Sequence, residues 1–372
     1  MEDRHNEELR RLASENTPEP RRPLSDYIIS QADLLKKHIP PTEYLLGTWL
    51  PMQSFGMVYA PTGVGKSWFV MSMALAIAQG NERVLGWRLN KQVPVLYVDG
   101  EMTLAEIKDR FQKLSPRGMD NVYVLPSEGL FKDGCPLSLD KPEDQEAFEE
   151  LLRFVGDQGQ RPQLIILDNL SSLRNSVNEN DNSEMQKFVT WLVSLRAKGY
   201  AVLLIHHTGK NGEQRGASIL TVPMDYTIRL SEGDSSVLAR EGEVKFELML
   251  KKMRARKPRP SSFTVFVGPD SDGIYGLSFD ATEFNIEPSY RLLKHLALEG
   301  RSTYREMAKA ISAAHTSIPN YLDKLIAEEM LKGTRANPTV SVDGINLLSE
   351  FWPAQFTATQ QEKFVQDDDS PF

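Results

Sequence analysis

Eight consecutive residues, Ala60-Pro61-Thr62-Gly63-Val64-Gly65-Lys66-Ser67, combine two glycines, a lysine and a hydroxyl at a spacing suited to holding phosphate. Gly63 and Gly65 let backbone N–H groups converge on phosphate oxygens. Lys66 reaches the β- and γ-phosphates, and the Ser67 hydroxyl ligates Mg²⁺. An apolar run, Phe55 to Tyr59, ends at this loop. Trp68 to Ala78, free of proline and glycine, reads as the helix that follows. The phosphates then sit on a helix N-terminus, where the dipole and free N–H groups favour negative charge. Ala60 stands where the pattern asks for glycine and is small enough for the turn. Ala60, Gly63, Val64, Gly65, Lys66, Ser67 and Trp68 are the expected nucleotide-binding residues.

A second element of the same chemistry is Leu164-Ile165-Ile166-Leu167-Asp168, an apolar strand ending in a carboxylate. Placed beside the strand that enters the phosphate loop, it brings Asp168 within a water of Mg²⁺. The bland alternative is a strand ending in a capping aspartate. Hydrolysis also needs a group that orients and polarises water. The residue after Asp168 is Asn169, so that group must come from elsewhere. Val95 to Met102 ends in Asp99-Gly100-Glu101, where Glu101 is the stronger candidate and Asp99 the structural one.

Three further segments carry a resemblance. Glu101-Met102 with Arg110 downstream, Val202 to Lys210 with its His206-His207 pair, and Asn178 to Met185 with Gln214-Arg215-Gly216-Ala217-Ser218 resemble the DnaB/RepA branch of RecA-like hexameric helicases. The likeness covers about residues 40–268 and is nearest to RepA-like ATPases of mobile elements. It implies ATP and Mg²⁺ as ligands, Glu101 as the catalytic acid, His207 as a γ-phosphate sensor, and Arg110 as a phosphate or glutamate contact. It also implies that Lys252 and Arg254, in the basic stretch Leu250 to Arg259, reach a neighbouring subunit's nucleotide. A cation supplied in this way stabilises charge on the transferring phosphoryl group. The alternatives are a satisfied buried histidine pair, a surface arginine at 110, and a solvated basic hairpin or DNA-backbone contact at 252–254.

These residues must be positioned by an alternation of short apolar strands (57–59, 93–98, 122–125, 164–167, 201–205) and helical patterns (68–78, 104–114, 144–155, 184–197). Such alternation argues for an α/β fold, a mostly parallel sheet with helices on both faces. Strands at 226–230, 245–250 and 263–267, with no helices between them, suggest an antiparallel extension. The expected organisation is a flexible arm over 1–26, a RecA-like ATPase domain over 27–280, a winged helix-turn-helix-like domain over 288–348, and a disordered acidic tail over 353–372. The small domain is read from leucines at 292, 293 and 296, a capping box at Thr303 to Glu306, a helix entered through Thr316-Ser317, and a turn-rich β-wing over 332–346. Helical hairpins of other kinds give similar patterns.

The 372 residues are 40% apolar and 25% charged, as in ordinary globular proteins, with a net charge of −8. Any positive surface for nucleic acid must therefore be local. One cysteine, Cys135, excludes an intrachain disulfide and a cysteine-rich zinc site. With no apolar run of membrane-spanning length and a highly charged N-terminus, a cytoplasmic location is expected. Two loops, 171–182 and 208–214, are expected to face single-stranded DNA in a ring's channel, with Arg174, Lys210 and Arg215 as the cations. Ser317, Asn320 and Lys324 are the candidates on the small domain. The ending Asp367-Asp368-Asp369-Ser370-Pro371-Phe372 is similar to the tail of bacterial single-stranded DNA-binding proteins. That likeness implies a partner among replication proteins that read such tails, whereas a plain acidic tail is merely solvated. The leading expectation is a hexameric, ATP-dependent DNA helicase or translocase of a mobile element. The alternatives are an accessory or loading ATPase that does not unwind, and an ATP-liganded winged-helix regulator that is no enzyme.

Overall fold

The structure is a computed structural model that describes residues 23–174, 182–208, 218–232, 242–255, 262–280, 286–352 and 356. Lys210, Arg215, Asp367, Asp368, Asp369, Pro371 and Phe372 lie outside these residues.

The chain divides into two units at Thr42/Glu43. Within the first, a 3-10 turn at Leu24–Asp26 precedes α1 (Gln31–Lys36). Ser30 caps α1 by accepting from the Asp33 N–H at 3.1 Å. Leu24, Ile28 and Leu35 are among its exposed residues.

The second unit follows in chain order. Its elements are β1 (Tyr44–Leu46), β2 (Leu50–Pro51), β3 (Ser54–Ala60), α2 (Lys66–Gln79), β4 (Arg83–Val84), β5 (Trp87–Arg88), β6 (Val95–Asp99), α3 (Leu104–Leu114), β7 (Val122–Pro126) and α4 (Ser127–Lys132). Then come α5 (Pro142–Asp157), β8 (Leu164–Asp168), α6 (Asn182–Ala197), β9 (Ala201–His207), the single turn α7 (Ser218–Thr221), β10 (Tyr226–Glu232), β11 (Val244–Met253), β12 (Ser262–Pro269) and β13 (Tyr275–Asp280). The last are α8 (Pro288–Glu299), α9 (Tyr304–Ala310), α10 (Ile318–Ala327), β14 (Leu331–Gly333), β15 (Pro338–Val340) and α11 (Val342–Phe351).

Among the described residues, nine strands form the main sheet in the order β13-β12-β11-β10-β3-β9-β8-β6-β7. From β10 to β7 all neighbours run parallel. From β10 to β13 they run antiparallel. The α/β, mostly parallel architecture is therefore the expected one, with two differences. β10 joins the parallel part, beside β3. And β8, which carries Asp168, is not next to β3, because β9 lies between them. Crossover connections separate chain order from spatial order, so adjacency was not legible in the spacing.

The central strands are buried on both faces, as a parallel sheet covered by helices requires. Val58, Tyr97, Ile166 and Leu203 belong to one core with α2. Met57, Val98, Ile165 and Leu204 belong to the other, with Phe148 of α5 and Phe188 and Leu192 of α6. Residues 286–356 have a core of their own, built on Leu292, Leu293, Met307, Leu322, Leu325 and Leu348. The capping box at Thr303 is formed, with Thr303 and Glu306 bonding each other's backbone N–H. The expected β-wing over 332–346 is shorter. β14 and β15 end at Val340, and Ser341 caps α11 by accepting from the Gly344 N–H at 3.0 Å. Phe356, assigned by sequence to the tail, is buried in this core. Among the described residues no helix is long and apolar enough to cross a membrane.

Candidate functional site

The site lies where β3, β6, β8 and β9 end on one edge of the sheet. α2 starts there directly after Gly65, whose φ of 110° is the left-handed geometry that glycine tolerates. A Cβ at Gly65 would stand 2.6 Å from Val244 Cγ1, so β11 closes on the loop from behind. At Gly63, also left-handed with φ of 84°, a Cβ would meet nothing within 4 Å. The loop is thus backed by protein at Gly65 and open at Gly63.

Lys66 is buried and directs its ammonium back into the loop. Its Nζ donates to the Ala60 carbonyl at 3.1 Å and the Pro61 carbonyl at 2.9 Å, and lies 3.1 Å from His207 Nδ1. Burial lowers its pKa, opposed by the charges of Asp168 and Glu101. An ammonium has no acceptor, so Lys66 Nζ bonds Nδ1 of His207 only as a donor. Nε2 of His207 faces Glu101 Oε1 at 3.6 Å. The Asn169 Oδ1 accepts from the Ser171 and Ser172 N–H groups at 2.9 and 3.2 Å, which leaves its donor Nδ2 3.1 Å from the same His207 Nε2. A neutral imidazole accepts on one nitrogen only, so Lys66 and Asn169 compete for the His207 tautomer. The His207 ring beside it lowers the Glu101 pKa; burial opposes this, and the Asn169 amide and the charge of Lys66 lower it further. Glu101 is therefore an anion at neutral pH with 52% of its side chain exposed. It can orient and polarise a water rather than act as a strong base.

Asp99 builds the turn that presents Glu101. Its Oδ1 accepts from the N–H groups of Glu101 and Met102 at 3.0 and 2.6 Å. Burial pushes its pKa up to about 6 despite those hydrogen bonds, with the Asp168 charge adding to the rise. Burial also raises the pKa of Asp168, while hydrogen bonds from Tyr97 and Ser67 lower it. A serine hydroxyl and a carboxylate in contact at the start of α2 are hard oxygen donors suited to Mg²⁺ held jointly with phosphate. With the open cradle at Gly63, the residues present fit a magnesium-bound triphosphate.

The other expected residues divide. Trp68 follows Ser67 and stacks on Tyr275, centroids 5.4 Å apart, and the Arg110 guanidinium lies 5.3 Å over its ring. Arg110 therefore bounds the start of α2 through Trp68. Lys252 and Arg254 lie at the opposite end of the sheet. Met253 pairs with Tyr226, which pairs with Gly56 near the start of β3, whereas the phosphate loop leaves its end. Four residues of strand put them about 13 Å or more from their own loop. Lys252 Nζ donates to the carbonyls of Thr221 and Val222 at 2.6 and 3.0 Å. Arg254 donates to the Val222 carbonyl at 3.0 Å and faces Asp225 at 3.7 Å.

Arg174 corrects the expectation of a DNA contact. It is buried, bonded through Nε to Asp140, within 3.5 Å of Met185 Sδ and over the ring of Phe188. It is a core ion pair. On the small domain Asn320 is exposed and Ser317 half-buried, while Lys324 bonds Glu287 and lies over Tyr290. Tyr97, Asn169 and Thr62, whose Oγ1 is 3.3 Å from His207 Nδ1, were missed. Their partners Asp168 and His207 are remote in sequence, and even Thr62, inside the loop motif, carries no local sign of its contact with His207.

A family model described as an AAA domain matches residues 17–213. No curated protein matches the chain. Among solved structures, the flagellar accessory protein FlaH from Methanocaldococcus jannaschii is similar at 14% identity, covering 63% of this chain and 92% of that one, with a TM-score of 0.42. A KaiC-like protein, PH0186, from Pyrococcus horikoshii OT3 is similar at 16% identity, covering 64% of this chain and 100% of that one, with a TM-score of 0.41.

Proposed function

The chain belongs to the AAA_25 family of AAA domains, and from that premise we propose that this RecA-like P-loop ATPase hydrolyses ATP at the seam between copies of itself and works as a ring-forming motor on single-stranded DNA. The observation that carries the proposal is the unbroken chain of contacts from Lys66 through His207 to Glu101. It joins the group that meets the terminal phosphates to the group that orients water.

Ser67 and Asp168 would hold Mg²⁺, which when bound neutralises charge on the phosphate oxygens. Lys66 meets the β- and γ-phosphates. Its three donors are directed at Ala60, Pro61 and His207, so engaging a phosphate means giving up some of those bonds. His207 registers that exchange on one ring nitrogen and holds Glu101 through the other. Arg254, with Lys252, serves a neighbouring copy, since both lie at the far end of the sheet from their own loop. The hexamer, the mobile-element setting and a replication partner for the acidic tail belong to the same proposal through the family resemblance.

Steady-state ATP hydrolysis by the wild type and by Glu101→Gln tests the enzyme. The variant should bind ATP and lose at least about 100-fold in turnover, the scale of a lost general base. Equal rates would leave Glu101 without its role. A second proposal, an accessory or loading ATPase that does not unwind, is favoured by the burial of Arg174, which removes one of three cations from the channel loops. Strand displacement on a forked duplex separates the two: ATP turnover without unwinding selects the accessory factor.

A further inference from the structure

Tyr97 lies in the middle of β6, fully buried, with its hydroxyl directed at the neighbouring strand. The parallel register sets Asp99 of β6 beside Asp168 of β8. Both carboxylates are buried, at 1% and 5% exposure. Two such groups side by side repel unless each has its own donors. Asp99 has the N–H groups of Glu101 and Met102. Asp168 has the Tyr97 hydroxyl, which donates to its Oδ2 at 2.7 Å and stands 3.5 Å from Asp99 Oδ2. A hydroxyl carries one proton, and the shorter distance assigns it to Asp168.

The donor is rigid. The Tyr97 ring meets Phe111 of α3 edge-on, centroids 6.0 Å apart at 90°. Its backbone is fixed in the centre of a sheet strand. The hydroxyl therefore cannot follow Asp168 if that carboxylate rotates; it selects one orientation. It is also neutral. A lysine or arginine in its place would compete with a cation for the carboxylate, whereas a phenol orients the anion and leaves its charge for the metal.

We propose that Tyr97 is a positioning residue for the divalent cation: by bonding Asp168 it holds that carboxylate in the orientation that shares the cation with Ser67, and so sets metal affinity at the nucleotide site. This rests on the reading of Ser67 and Asp168 as the Mg²⁺ pair. Neighbours that orient metal ligands commonly govern affinity by about 10–100-fold.

The test titrates Mn²⁺ into the full chain saturated with the β,γ-imido analogue of ATP, with free Mn²⁺ read by electron paramagnetic resonance. Analogue binding is also measured in EDTA. Tyr97→Phe removes a single oxygen and keeps the ring on Phe111. It should weaken Mn²⁺ binding at least about 10-fold and leave metal-free analogue binding unchanged. In an Asp168→Asn background the same change should cost no further Mn²⁺ affinity. Unchanged Mn²⁺ binding in Tyr97→Phe overturns the proposal. So does a parallel loss of metal-free analogue binding, which a merely structural role would produce, or an undiminished effect in the Asp168→Asn background. Failure of the wild type to bind Mn²⁺ with the analogue would instead overturn the underlying assignment of the metal pair.

Discussion

His207 joins three parts of the site that are far apart in sequence: Lys66 on the loop, Glu101 after β6, and Asn169 after β8. Its neighbour in the acid cluster, Asp99, carries a pH prediction. Its folded pKa of about 6 exceeds the ordinary 3.8, so the folded protein holds that proton more tightly than the unfolded chain. The stability it contributes is complete below about pH 4 and is lost as pH rises through about 6. Asp99→Asn keeps an acceptor oxygen for the Glu101 and Met102 N–H groups while removing the buried charge. Thermal melts between about pH 4 and pH 7.5 should show a flattened slope and a higher Tm at neutral pH; a lower neutral Tm would refute the sign. Arg174 gives a second prediction. Removing one partner of a buried pair leaves the other charge stranded, so Arg174→Ala should lower stability by about 3–5 kcal/mol in denaturant titrations. A loss near zero would return Arg174 to the surface. Lys66, Ser67, Asp168 and Glu101 were legible in the sequence because short spacing around a glycine loop or a strand end marks them. Arg174 was misread because Asp140, the residue that buries it, lies 34 positions away.

At the scale of elements, β9 is the piece that local spacing could not place. It inserts between β3 and β8, and by doing so sets His207 between the loop and the carboxylates. Strands β3 and β6 to β12 and helices α2, α3, α5 and α6 were legible from apolar runs of the right length, because a sheet covered on both faces needs them. Strand order was not, since it depends on crossovers. The wing expected over 332–346 overlaps the start of the helix Val342–Phe351 because Asp343-Gly344 looks like a turn, yet there it forms the first turn of a helix capped by Ser341. The junction of β3 and α2 yields its own test. Alanine at Gly65 meets both a left-handed φ and Val244, whereas alanine at Gly63 meets the φ alone. Backbone strain of this kind costs about 1–3 kcal/mol, so both variants should melt earlier, and Gly65→Ala earlier than Gly63→Ala. The reverse order would mean that β11 does not back the loop.

At the scale of the molecule, the two ends of β3 divide the labour. One end holds the phosphate loop, Glu101 and His207; the other holds Lys252 and Arg254 on the carbonyls of Thr221 and Val222. Asp225 fixes that second end, accepting from the Phe55 N–H at 2.9 Å and pairing with Arg196 at 3.2 Å. The family likeness suggested cations acting on a neighbour, and the sheet agrees with that reading: within one chain they lie about 13 Å or more along the strands from their own phosphate loop. The direct measurement is ATP turnover in mixtures of Arg254→Ala, which keeps the loop, and Lys66→Ala, which keeps the arginine. Each alone should be nearly inactive, and mixing should restore turnover as pairs form in which an intact loop faces an intact Arg254. Full turnover by Arg254→Ala alone, or no recovery at any ratio, would contradict hydrolysis at a shared seam.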